Sequence, residues 1–78
     1  ITDLYPNPAS DYISVSVTNT GKYRIEIFDI NGVLITTKQF RNSDTKIATN
    51  TFASGVYVLR IYNEENATID TKKFVVKH

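Results

Sequence analysis

"YRIEIFDINGVLITTKQF", Tyr23 to Phe40, decides the fold. Tyr23, Ile25 and Ile27 alternate with Arg24 and Glu26, a period of two that suits a half-buried strand and no helix. Asn31-Gly32 interrupts the run, and both residues tolerate the positive φ of a type I′ turn. The apolar and β-branched character then resumes over Val33–Phe40. The spacing predicts a β-hairpin closed by a two-residue turn, with Asp29 at its shoulder.

The same period runs outward in both directions. Upstream, Ile13, Val15 and Val17 share one face of Tyr12–Thr18, with Tyr12, Ser14 and Ser16 on the other. "NTGK" (Asn19–Lys22) reads as a turn in which Gly21 takes positive φ. Before it, "LYPNPASD" (Leu4–Asp11) carries Pro6 and Pro8, neither of which can donate to a sheet ladder, and Asn7, held extended by the following proline. This stretch predicts a rigid corner at a sheet edge. Downstream, Arg41–Asp44 reads as a polar loop, Thr45–Thr49 as a short strand and Asn50–Gly55 as a tight connection. Val56–Asn63 buries Tyr57, Leu59 and Ile61; Glu64–Ala67 turns; Thr68–His78 is the last strand, Phe74 and Val76 alternating with Lys73, Val75 and Lys77. About seven strands, with turns every 8–12 residues, predict an all-β protein. The expected form is an antiparallel two-sheet β-sandwich, immunoglobulin-like with Greek-key crossings, cored by Ile13, Val15, Val17, Ile25, Ile27, Tyr57, Leu59, Ile61, Phe74 and Val76. No internal repeat, low-complexity tract or linker stands out within the chain.

The 78 residues make one small domain, 1–78. No apolar run approaches the eighteen or so residues that span a membrane, so membrane insertion is not expected. A formal charge of +1 makes no electrostatic case for nucleic acid. The chain lacks methionine, position 1 included, which points to a piece of a longer product. Without cysteine it has no disulfide, thiolate metal site or cysteine nucleophile, and its stability rests on the apolar core.

Catalytic patterns are weak. Hydrolysis by a nucleophile needs a base held in place, and the sole histidine, His78, is the terminal residue, expected to fray. Asp3, Asp11, Asp29, Asp44, Glu64, Glu65 and Asp70 fall at strand ends, in turns or near a terminus, and solvate those places. "DING" (Asp29–Gly32) resembles the opening of a calcium loop, but runs into Val33, Leu34 and Ile35 without a third ligand. Tyr5, Tyr12 and Tyr62 could offer faces to sugar rings, whereas Tyr23 and Tyr57 sit on apolar faces. "NAT" (Asn66–Thr68) matches a glycosylation sequon, a tripeptide frequent by chance. The residues describe a compact, non-catalytic β module with no cofactor.

Three stretches add a family resemblance: "LYPNPASDYISV" at the start, "IFDINGVLI" (Ile27–Ile35) in the middle, and "FASGVYVLRI" with the closing "TKKFVVKH". In this order and spacing the chain resembles the type A C-terminal sorting domain of the type IX (Por) secretion system of Bacteroidetes. That resemblance makes Pro6, Asn7, Pro8, Asp29, Asn31, Gly32, Gly55 and Tyr57 structural motif positions. It places recognition near the end of the chain, on Lys72, Lys73, Phe74, Val75, Val76 and Lys77. It implies a C-terminal fragment of a larger exported protein, with cargo N-terminal to residue 1. Its partners would be the outer-membrane secretion machinery and a sortase that removes the domain. The route would be transit through the periplasm, then the cell surface or the medium. The rival class is an immunoglobulin- or fibronectin-like spacer or a carbohydrate-binding module of a secreted enzyme or adhesin.

Overall fold

A computed structural model describes residues 3–78. Five strands are present: β1 (Asp3–Tyr5), β2 (Tyr12–Asp29), β3 (Leu34–Ala48), β4 (Gly55–Asn63) and β5 (Thr68–Val76). All strand pairings are antiparallel and join one curled sheet, in the order β1-β2-β4-β5 with β3 on the other side of β2. The fold is all-β, as the alternation requires. The strand count is five rather than seven, and the hydrogen bonding builds one continuous sheet where two were expected.

The difference arises at two places read as turns. Asn19–Lys22 and Arg41–Asp44 lie inside long strands, and the β2–β3 register shifts between Ser16 and Gly21. Such an irregularity bends a ladder without ending it, so turn-like composition there marks a bend. Gly21 therefore does not take the positive φ expected of it; Asn42 does, at 78°. The bends let β2 and β3 serve both arms of the sheet. One arm holds β1 and residues 12–16 and 44–48; the other holds residues 21–29 and 34–42 with β4 and β5.

All ten expected core residues are buried, joined by Ala9 and Ile47 in one cluster. Full burial of such side chains contributes about 1.5–3 kcal/mol each. Ser14, expected on the outer face, is buried instead, as is Thr49, whose hydroxyl donates to the Ser10 carbonyl at 3.0 Å.

The second arm is made of one hairpin used twice. At a constant 34-residue offset, Gly21, Tyr23, Ile27, Ile35, Thr37, Lys38 and Phe40 meet the same residue types at Gly55, Tyr57, Ile61, Ile69, Thr71, Lys72 and Phe74. The structure repeats with the sequence. Tyr23 donates its hydroxyl to the Asn19 carbonyl and stacks on Phe40 at 5.2 Å; Tyr57 donates to the Ala53 carbonyl and stacks on Phe74 at 5.8 Å. Ile35 and Ile69 are each left unpaired by a bulge. The adjacent strands β2 and β4 are antiparallel, with Glu26 opposite its own equivalent Arg60. The two hairpins are thus related by a pseudo-twofold axis through that pair, and their turns point to opposite ends. This internal repeat is absent from the linear reading, because its matches are scattered and conserve turn geometry more than residue type.

Candidate functional site

The motif stretches meet at one end of the sheet. Asp29 is the register partner of Tyr57, Tyr57 of Phe74, and Gly55 of Val76, so the first hairpin's turn lies beside the start of β4 and the end of β5. The proline corner closes the group from the outside.

Each stretch has a local reason for its shape. The turn is not the type I′ hairpin expected of Asn31-Gly32. Asp29 N–H donates to the Val33 carbonyl, Gly32 N–H donates to the Asp29 carbonyl, and Asp29 Oδ1 accepts the Asn31 and Val33 amides at 2.9 and 3.0 Å. This is a three-residue loop in which only Gly32, at φ 83°, is left-handed. An added Cβ at Gly32 meets nothing within 4 Å, so the glycine serves its φ and not a close contact. The Asp29 oxygen that a calcium loop would need is occupied by turn amides. Among the described residues no group of three or more acidic or histidine side chains is placed to hold a metal.

The corner works by clasping β5. Its two X–Pro bonds, Tyr5-Pro6 and Asn7-Pro8, are cis. Asn7 Oδ1 accepts the Val75 amide at 3.0 Å; Ala9 N–H donates to the Val75 carbonyl at 2.7 Å, and Lys77 N–H to the Ala9 carbonyl at 2.8 Å. These bonds satisfy the outward N–H and C=O of Val75 at the end of the last strand, groups that would otherwise template a stray strand. Ala9, fully buried, is a parallel bridge partner of Val76. Sequence reading missed β1 before the corner and the clasp itself, since a contact across 68 residues leaves no local signal.

His78 does not fray as expected: its backbone donates to Ser54 Oγ at 3.1 Å, and its Nε2 lies 2.7 Å from the Phe52 carbonyl. Phe52 in turn packs on Tyr57 at 5.2 Å.

The expected recognition residues divide by face. Phe74 and Val76 are buried and anchor β5, while Lys73, Val75 and Lys77 are exposed on the alternate positions. Lys72 is exposed although it shares the parity of Phe74 and pairs with Leu59. Beside Val75 lies its register partner Val56, also exposed, followed on the same strand face by Val58, which pairs with Phe28. Phe28 pairs with Leu34, and Ile30 at the turn is 76% exposed. The motif end therefore carries a run of apolar side chains on its outer face, edged by Lys73 and by Arg60, whose guanidinium lies 5.5 Å from the Phe28 ring centre.

The chain is 29% identical over 73 residues to "Ulvan lyase NLR42" of Nonlabens ulvanivorans, covering 92% of this chain and 14% of that protein. It is 33% identical over 76 residues to "Endo-acting ulvan lyase" of Formosa agariphila, covering 95% of this chain and again 14% of the relative. In both, the matched part is the C-terminal region alone. Residues 3–77 match the family described as "Secretion system C-terminal sorting domain". The chain belongs to that family, the C-terminal secretion signals of the type IX system.

Proposed function

We propose that residues 1–78 are a folded, non-catalytic address at the C-terminus of a larger exported protein, read by the outer-membrane type IX machinery at the motif end. Cargo N-terminal to residue 1 would cross the periplasm with the domain attached. A sortase would then remove the domain as the cargo reaches the surface or the medium. The observation that carries this reading is the meeting of all the family-like stretches at one end, with Lys73, Val75 and Lys77 exposed there on buried Phe74 and Val76 anchors.

The physical logic is that of a surface which must be both soluble and recognisable. Buried alternate residues fix the strand, the corner's clasp occupies its backbone at Val75, and recognition is left to outward side chains. Lysines around an apolar run keep that surface from self-association while leaving it open to a complementary partner. One core between two arms of a curled sheet supports an immunoglobulin-like sandwich in which the arms act as the two layers.

The test is a fusion of a fluorescent reporter to the domain, with an N-terminal export signal and a linker, in a Bacteroidetes strain. Reporter at the surface or in the medium should depend on an intact type IX system. Equal levels with and without that system would refute the proposal and favour a spacer or binding module.

A further inference from the structure

The pseudo-twofold axis gives the motif end a counterpart at the other end of the hairpin arm, and the two ends have opposite chemistry. Where the motif end has Val56, Val58 and Val75, the equivalent positions hold Lys22, Arg24 and Arg41. With Tyr23, Phe40, Asn63 and Glu64 these residues line a cleft of about 450 Å³.

Three observations point to a ligand. First, Lys22 and Arg41 are direct register partners, and like charges so placed repel. Second, none of Lys22, Arg24 and Arg41 forms an ion pair among the described residues, and Glu64 is the one carboxylate in the lining against these three cations. Third, Arg24 is held in place: its guanidinium lies 4.3 Å from the Tyr62 ring centre, and its Nε is buried with no hydrogen-bond partner. A guanidinium stacked on an aromatic ring is fixed in plane, and its terminal nitrogens remain available to grip an oxyanion in a two-pronged fashion.

We propose that this cleft binds a saccharide bearing a single oxyanion per sugar unit, of the uronate type. The volume exceeds what an inorganic ion fills and lies within the range of small-ligand sites. The amide side chains of Gln39 and Asn66 in the lining can both donate to and accept from hydroxyls. Glu64 in the same lining disfavours a dense polyanion and suits a ligand that also presents hydroxyls. This site is independent of the sorting role and lies at the end opposite the motif stretches.

The test is a ¹⁵N NMR titration of the chain with digalacturonate, with lactose, sodium sulfate and tetra-aspartate as separate arms. Digalacturonate should give saturable shifts confined to residues around 22–24, 39–41 and 63–66, with a Kd of about millimolar or below. Raising the salt should weaken them. Arg24→Gln should reduce affinity at least about tenfold, and the exposed-site variants Lys22→Gln and Arg41→Gln about threefold each, with the rest of the spectrum unchanged. The exposed-site variants keep the test decisive should Arg24→Gln unfold. Absence of saturation, equal binding by lactose or sulfate, tighter binding by tetra-aspartate, or full affinity in Lys22→Gln and Arg41→Gln would each overturn the proposal.

Discussion

The two hairpins of the second arm share a turn, a bulge and a tyrosine tie, yet differ in what they bury. In the β4–β5 hairpin Tyr57 and Phe74 are 7% and 1% exposed and belong to the core; in the β2–β3 hairpin their equivalents Tyr23 and Phe40 are half-buried and pack on the core from outside. The two rings are a tyrosine and a phenylalanine in both hairpins, so residue type at these positions does not by itself set the burial. The context does. Phe52 packs on Tyr57, and the proline corner closes over the end of β5, whereas beyond Phe40 the chain continues into the bend of β3. A repeated unit thus acquires one end with a buried ring pair and an apolar outer face, and one with a half-buried ring pair and a cationic outer face, which makes a division of labour between them possible.

The largest expected effects test that asymmetry of burial. Phe74→Ala should cost roughly 3–5 kcal/mol, a full core cavity. Phe40→Ala, at the equivalent half-buried position, should cost less than half as much by urea unfolding. Equal losses would show that the two hairpins are packed alike and would remove the basis of the comparison. Leu59→Ala, at a fully buried position in β4, should cost roughly 2–5 kcal/mol.

Smaller effects probe what the hairpins share. Asn63 closes its turn as Asp29 does: Asn63 Oδ1 accepts the Glu65 and Ala67 amides, both at 3.0 Å, and Asn66 at φ 64° stands where Gly32 stands. Asp29→Ala and Asn63→Ala should each lose about 1–2 kcal/mol by thermal melts, since each strands two turn amides. Asp29→Asn should be within about half a kcal/mol of wild type, because the amide oxygen does the same work in the second hairpin. A large loss for Asp29→Asn would mean that the carboxylate has a duty beyond the turn. Gly32→Ala should cost about 1 kcal/mol or more through its left-handed φ, whereas Asn66→Gly should be neutral or slightly stabilising.

These contrasts also show what was legible in the linear sequence. Every expected core residue is buried, because a two-residue alternation leaves little freedom once one face must be dry. The strand count was not legible. Asn19-Thr20-Gly21-Lys22 has turn composition, yet the pairing resumes past the register shift, and only the partner strand decides that. The turn type failed for a related reason: Asn31-Gly32 permits a type I′ turn, but Asp29 offers its carboxylate to two amides and draws the loop to three residues. At the candidate site, the motif stretches were readable one by one. Their convergence depended on an Asn7–Val75 contact, and the cationic cleft on a dyad, neither of which has a short-range signature.

The claim that the motif end is the part read during export is tested most directly by comparing secretion of two folded surface variants. One replaces Lys72, Lys73 and Lys77 with alanine; the other replaces Lys22 and Arg41, at the opposite end. Exposed substitutions of this kind change stability by under about half a kcal/mol each, so both should keep the wild-type melting temperature. The account predicts that reporter fused to the first variant is stranded in the periplasm while the second reaches the medium at the wild-type level. Normal secretion of the first variant, with loss confined to the second, would contradict it and move the address to the cationic end.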